Sequence, residues 1–352
     1  MAKKTAEPND SDRIAGFAHP RETTVLLGQD IALARAARAL RAGRPPSGWL
    51  ITGPPGVGKA TLAYRIARYL LAYGATADGS EDLSVPQDDT AARQVAAQSH
   101  PGLMVLKRTV NLKTGKLRTE LVVDEVRRLA DFFGMTSGAG GWRVAIIDTA
   151  DDMNDNAANA LLKMLEEPPA NALLLLLSNT PGRLLPTIRS RCRLLAFRPL
   201  PPLIVERILA ELPEPPVDDV IKAAAARSEG SLTRAMTFVD PDLLAIVRHV
   251  EMTLARLPEF DRGELLAMAE TLASRDKTLE FETVLQTIES WILANCHQHL
   301  NAGASRLAPL TEVWEKTARN ARDTERFNLD RRPFLLTLFT DLAEAVRLSY
   351  AA

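Results

Sequence analysis

Gly53-Pro54-Pro55-Gly56-Val57-Gly58-Lys59-Ala60 has the G-x-x-x-x-G-K spacing of a loop that wraps phosphate, with alanine where such loops place Ser or Thr. The glycines let backbone N–H groups converge on phosphate oxygens, and Lys59 adds a point charge at the β- and γ-phosphates. The eighth residue normally contributes a hydroxyl to Mg2+, and Ala60 has none. Thr61 comes one residue late, and one residue along a helix turns a side chain by about 100°. The loop has the parts to hold ATP or ADP, lacks the hydroxyl ligand for Mg2+, and leaves hydrolysis by this chain an open question.

Other residues have types suited to the same chemistry. Val144-Ala145-Ile146-Ile147-Asp148 reads as a strand ending in a carboxylate. Beside a phosphate loop such an Asp supports Mg2+, although Asp148 could instead cap the helix that follows. Thr149 comes next, where many such ATPases place a Glu that orients the attacking water, and a hydroxyl is no carboxylate base at neutral pH. Asp151 and Asp152 are nearby, but a helix start is the setting their position favours. Ser178-Asn179 ends an apolar run, and Asn179-Thr180-Pro181-Gly182 also fits a turn. Arg191 and Arg234, taken alone, read as solvated surface charges. Cys192 has no base partner in reach and reads as packed, not reactive.

These residues need elements to position them. Hydrophobic spacing predicts a helix over 30–42, with Ile31, Leu33, Ala34, Ala37 and Leu40 on one face, closed by Gly43 and Pro45-Pro46. A strand over 49–52, the glycine loop and a helix over 61–71 then give the strand–loop–helix order that a phosphate loop requires. Residues 74–90 are small and acidic and read as a loop. Strands are predicted over 103–107, 143–148, 172–177 and 193–197, and helices over 123–133 and 155–166. Lys113-Thr114-Gly115-Lys116 reads as a hairpin turn within 110–120. Strands alternating with helices imply an α/β fold with a mostly parallel sheet covered on both faces. After Pro199, Pro201 and Pro202 no strand appears. Short helices are expected over 204–211, 218–228 and 232–238, then a long helical tail from Pro241. The expected organisation is a polar, disordered segment over 1–18, a nucleotide-binding domain over 19–198, a helical lid over 199–240 and a helical domain over 241–352.

Composition excludes several classes. A formal net charge of −1 argues against a protein that coats nucleic acid by charge alone. Two cysteines cannot build a four-thiolate site, so no zinc is expected. The histidines show no metal spacing; His297 and His299 face different directions on a helix. Arg319, Arg322, Arg326, Arg331 and Arg332 read as a solvated helix face. The N-terminal residues lack the apolar centre of a secretory signal, and the apolar run 172–177 is too short to cross a bilayer. A cytoplasmic protein with no membrane contact is expected.

Asn159-Ala160-Leu161-Leu162-Lys163-Met164-Leu165-Glu166-Glu167-Pro168-Pro169, followed by Leu184-Leu185-Pro186-Thr187-Ile188-Arg189-Ser190-Arg191-Cys192, resembles the bacterial replicative clamp loader, an assembly of the AAA+ class of ATPases. The resemblance runs from His19 through residue 240, with a weaker helical fit beyond. His19-Pro20-Arg21 and Gly28-Gln29 suit the family's N-terminal segment. The motor subunits of that family, gamma and tau, carry an intact loop, a DEA-type acidic motif and a cysteine zinc module. Ala60, Thr149 and the shortage of cysteines depart from them and are similar to the delta-prime type, as is the length.

The resemblance implies an AAA+ P-loop module with a small helical lid, followed by a helical C-terminal collar domain. It implies a component of the DNA polymerase III holoenzyme, with little or no ATPase activity of its own. The implied partners are gamma/tau and delta subunits in a pentameric collar and, indirectly, the sliding clamp and primer-template DNA. The implied role is a stator that helps open the clamp and load it during replication. Arg191 would act as an arginine finger in a neighbour's ATP site, offsetting charge on the γ-phosphate. Asn179 would stand at the sensor 1 position and Arg234 at sensor 2 on the lid. The alternative, an ATP-hydrolysing gamma/tau-like subunit with an unusual P-loop, stays open.

Overall fold

A computed structural model describes Ile14 and residues 16–76, 80–109, 118, 120–134, 141–274, 277–298, 304–326 and 329–351. The chain divides into two compact units, Met1–Met236 and Thr237–Ala352. The segment expected to be disordered falls mostly outside the described residues, as does the hairpin turn at 113–116.

The first unit runs α1 (Asp30–Arg41), β1 (Gly48–Thr52), α2 (Lys59–Tyr73), α3 (Thr90–Ala96), β2 (Leu103–Leu106), α4 (Val123–Gly134), β3 (Arg143–Ile147), α5 (Asp155–Glu166), β4 (Ala172–Ser178), α6 (Pro186–Arg191), β5 (Arg193–Ala196), α7 (Pro202–Ala210), α8 (Asp218–Arg227) and α9 (Leu232–Val239), the last crossing the division between units. The five strands are parallel, in the order β2-β3-β4-β1-β5. This is the expected α/β P-loop architecture. Helix α3 is an element the sequence reading lacked; the Asp89 carboxylate caps it by accepting from the Ala91 and Ala92 amides.

The leucine run of β4 shows why the sheet is a middle layer. Leu173, Leu175 and Leu177 join Trp49, Ile51, Val144 and Ile146 in a core against α1 and α2. Leu174 and Leu176 point the other way, into a core with Leu50, Ala145 and Ile147 against α4 and α5. Successive strand residues face opposite sides, so a strand covered on both faces must be apolar throughout.

Register decides what stands at each end of the sheet. Thr52 of β1 is level with Ser178 of β4, and Ile147 of β3 with Leu176. The chain leaving β1, β3 and β4 therefore emerges along one edge, carrying the glycine loop, Asp148 and Asn179. Ligands of open parallel sheets bind at this carboxyl edge. At the opposite edge, Trp49 is level with Arg193, which brings Arg191 and Cys192 beside the start of β1.

The second unit contains α10 (Pro241–Ala255), α11 (Arg262–Leu272), α12 (Thr278–Gln298), α13 (Ala304–Arg326) and α14 (Arg331–Ala351). Asp240 and Asp261 cap α10 and α11 through side-chain oxygens. Val250, Leu265, Phe281, Ile288, Leu335, Phe339 and Leu342 form its core. The arginines expected on one solvated face separate here. The Arg331 guanidinium lies 4.6 Å over the Phe281 ring, and Arg332 pairs with Asp330. The side chains of Arg322 and Arg326 lie outside the described residues.

Candidate functional site

The loop from Gly53 to Gly58 turns tightly between β1 and α2. Gly56 has φ 70° and Gly58 φ 94°, in the left-handed region that glycine enters without a Cβ clash. Space adds a second requirement at Gly56, where a Cβ would stand 2.5 Å from the Thr233 amide nitrogen. The Leu232 amide donates to the Gly56 carbonyl at 3.0 Å, so the start of α9 sits on the loop. No side chain caps α2 at Gly58. The orphan amides of a first helical turn suit an anion.

Two further contacts fix the loop. Gln29 Nε2 donates to the Val57 carbonyl at 3.4 Å and to the Arg198 carbonyl at 2.8 Å, tying the loop to the chain leaving β5. Buried Arg65 and Arg68 of α2 donate to the carbonyls of Thr24, Arg21 and Thr23 and strap the N-terminal segment onto that helix.

Lys59 is buried, and its ammonium already has three partners. Nζ donates to the carbonyls of Gly53 at 2.8 Å and Pro54 at 2.6 Å, and to Asn179 Oδ1 at 2.7 Å. An ammonium has three donors, so each is matched within the chain. Burial pulls its pKa from 10.5 down to about 8, while the negative charges of Asp148 and Asp151 pull it back up.

Asp151 holds the turn after β4. It accepts from Ser178 Oγ at 2.6 Å, the Asn179 amide at 2.5 Å and the Thr180 amide at 3.1 Å. Asp151 lies in a 3-10 turn, Ala150–Asp152, near the helix start expected for it, and both its oxygens are engaged. Asp152 faces Arg108 at 3.0 Å. Neither acid is left to replace the carboxylate missing at Thr149. Gln29 and Asp151 are the residues whose roles the sequence did not disclose: both act on partners far along the chain.

The loop backbone fits a phosphate, whereas the metal ligands are deficient. Ala60 packs half-buried against the core on the α1 and α2 side. Among the described residues, no three His, Cys, Asp or Glu side chains gather as a metal site.

The arginines have separate settings. Arg234, in the first turn of α9, pairs with Glu229 at 2.6 Å. Arg191 ends α6, with its side chain 36% exposed. Its Nη2 lies 2.7 Å from Glu166 Oε1, and Nη1 donates to the Thr187 carbonyl at 3.1 Å. Cys192, next in sequence, packs near Gly48; burial pushes its thiol up to about 12, so it stays protonated. Lys59, Asn179, Asp148 and Asp151 thus converge at one edge of the sheet, and Arg191 stands at the other. β1 is five residues long, about 16 Å of strand between them.

Residues 28–201 match the family described as DNA polymerase III, delta subunit. A DNA polymerase III subunit delta' from Pseudomonas aeruginosa is 37% identical over 187 residues, 53% of this chain and 53% of that protein. The corresponding subunit of Escherichia coli is 34% identical over 167 residues, 46% of this chain and 45% of its own length. A DNA polymerase III subunit gamma/tau from Mycobacterium tuberculosis is 31% identical over 241 residues, 67% of this chain and 39% of that protein. The chain thus spans about half or less of the length of these curated relatives.

Proposed function

On the premise that this chain belongs, through residues 28–201, to the DNA polymerase III delta-prime family, we propose that it is a clamp-loader subunit that does not hydrolyse ATP and serves an ATP site on a neighbouring chain. The observation that carries this reading is the position of Arg191. It stands across the sheet from its own phosphate loop, half-exposed, where a second chain can reach it. A guanidinium presented in trans offsets charge on a transferring phosphoryl group, worth roughly 10³–10⁵ in rate in GTPase systems.

The loop supports the same division of labour. Lys59 is matched by acceptors of its own chain, Ala60 offers Mg2+ no oxygen, and Asp151 and Asp152 are engaged elsewhere. Nucleotide bound here would meet backbone donors and, once Lys59 released a carbonyl, its charge. Residues 199–240 are assigned as the lid and 241–352 as the collar domain that joins gamma/tau and delta subunits. The assembled loader opens the sliding clamp onto primed DNA in the cytoplasm, with this chain as its comparatively rigid member. The competing reading, an ATPase with an unusual loop, draws on the convergence of Lys59, Asp148 and Asn179 at one edge.

ATP turnover distinguishes the two readings. The isolated chain is expected to show none, whereas Arg191→Ala in a complex reconstituted with gamma/tau and delta leaves assembly intact and slows turnover. Steady hydrolysis by the isolated chain that disappears in Lys59→Ala would support the ATPase instead. Unchanged turnover in the Arg191→Ala complex would reject the finger role.

A further inference from the structure

We propose that Glu166 is a positioning residue for Arg191, holding its guanidinium ready for the neighbouring chain; this rests on the trans role given to Arg191 above. Glu166 is the last residue of α5 and Arg191 the last of α6, so two separate helices end on one ion pair. Glu166 Oε1 lies 2.7 Å from Nη2 as an ion pair, and the Thr187 carbonyl accepts a hydrogen bond from Nη1 at 3.1 Å. One hydrogen bond and one ion-pair contact, from residues of different helices, confine the guanidinium to this corner. Of its five N–H donors, one is given to the Thr187 carbonyl, and the remaining N–H groups can turn to an incoming anion.

The base under the pair is also fixed. Leu165 precedes Glu166, and Cys192 follows Arg191. A Cβ built on Gly48 would lie 2.7 Å from Leu165 Cδ2 and 3.2 Å from Cys192 Sγ, so both neighbours close on the same point of β1. Leu165 belongs to the core beneath α4 and α5, and half-buried Cys192 packs against it. The pair itself remains partly open, with Arg191 36% and Glu166 48% exposed. A partly solvated ion pair is weak enough to yield to a phosphate. Together with the Thr187 hydrogen bond it still limits the rotamers that a long side chain would lose on binding.

The test uses the complex reconstituted with gamma/tau and delta subunits. Glu166→Gln is expected to assemble normally and to melt at the wild-type temperature. It should lower kcat for ATP by roughly two- to fivefold, the worth of a half-exposed pair, with KM unchanged. If Glu166 acts through Arg191, the same change made in an Arg191→Ala background should have no further effect. Glu166→Ala gives a second version of the comparison should the first variant assemble poorly. A wild-type or raised kcat in the Glu166 variants, beside a slowed Arg191→Ala complex, would overturn the positioning role and leave the finger intact. Equal losses from Glu166→Gln with and without Arg191 would overturn it too. If Arg191→Ala itself leaves turnover unchanged, the trans reading fails and this proposal falls with it.

Discussion

Lys59, in the first turn of α2, and Asn179, just beyond β4, meet at 2.7 Å across the carboxyl edge of the sheet. Asn179 is held in turn by Asp151, which accepts its amide. The lysine of the glycine loop and the asparagine beyond β4 are therefore linked to each other and to a third residue. The link closes the loop on itself through ordinary hydrogen bonds. Its cost is the burial of a charged ammonium, and that cost has a pH signature.

Lys59 has a folded pKa of about 8 against 10.5 for the free side chain, chiefly because of burial. Between those values the unfolded chain keeps a proton that the folded chain has released. Stability rises with pH wherever the unfolded state binds more protons. Relative to Lys59→Met, the wild type should therefore gain stability as pH climbs through this window, by an amount on the order of 3 kcal/mol. The gain is absent below the folded pKa and complete above the unfolded one. Urea melts of both chains at pH 7 and pH 10 provide the check; a difference that stays constant or narrows would contradict the burial argument.

Gly48 leaves no room for a side chain. A Cβ there would stand 2.7 Å from Leu165 and 3.2 Å from Cys192. Gly48→Ala should lower stability by about 1–3 kcal/mol through overpacking. It should also disturb the ends of α5 and α6, where Glu166 and Arg191 stand. Thermal unfolding of the chain measures the first effect, and ATP turnover of the complex the second. An alanine variant with wild-type values in both would show that the core relaxes freely at this point.

Asp151→Ala removes the acceptor for Ser178 Oγ and for the amides of Asn179 and Thr180. Ser178 is fully buried, so its hydroxyl has no water to turn to. A loss of about 1–3 kcal/mol is expected, with faster hydrogen exchange at Asn179 and Thr180. Exchange rates that do not change would mean the turn is held by something other than this carboxylate.

Residues that act within a few positions of one another were legible before the fold was known. The glycine loop, the strand before it and the helix after it follow from local spacing, and the structure has them in that order. The leucine run of 172–177 could only be a strand covered on both faces, and β4 is one. Helix α3 escaped because it is seven residues long and follows an acidic loop. So short an amphipathic pattern is too brief to distinguish from a turn.

Residues that act across long separations were not legible. The sequence placed Gln29 beside Gly28, yet its partner Arg198 lies 169 positions away. Asp151 and Asp152 read as acids at a helix start, and tertiary contact assigned one to the Ser178–Thr180 turn and the other to Arg108. Arg191 was legible as a residue type in a motif, but its place relative to Lys59 was not. By itself the sequence determined which residue types stand in the glycine loop and that position 60 carries no hydroxyl, because those depend on side-chain chemistry and local spacing. Only the tertiary structure decided that Lys59 is matched within its own chain, and that Arg191 stands across the sheet beside Glu166. Strand order and register bring distant residues together, and neither is encoded in the spacing of any one segment.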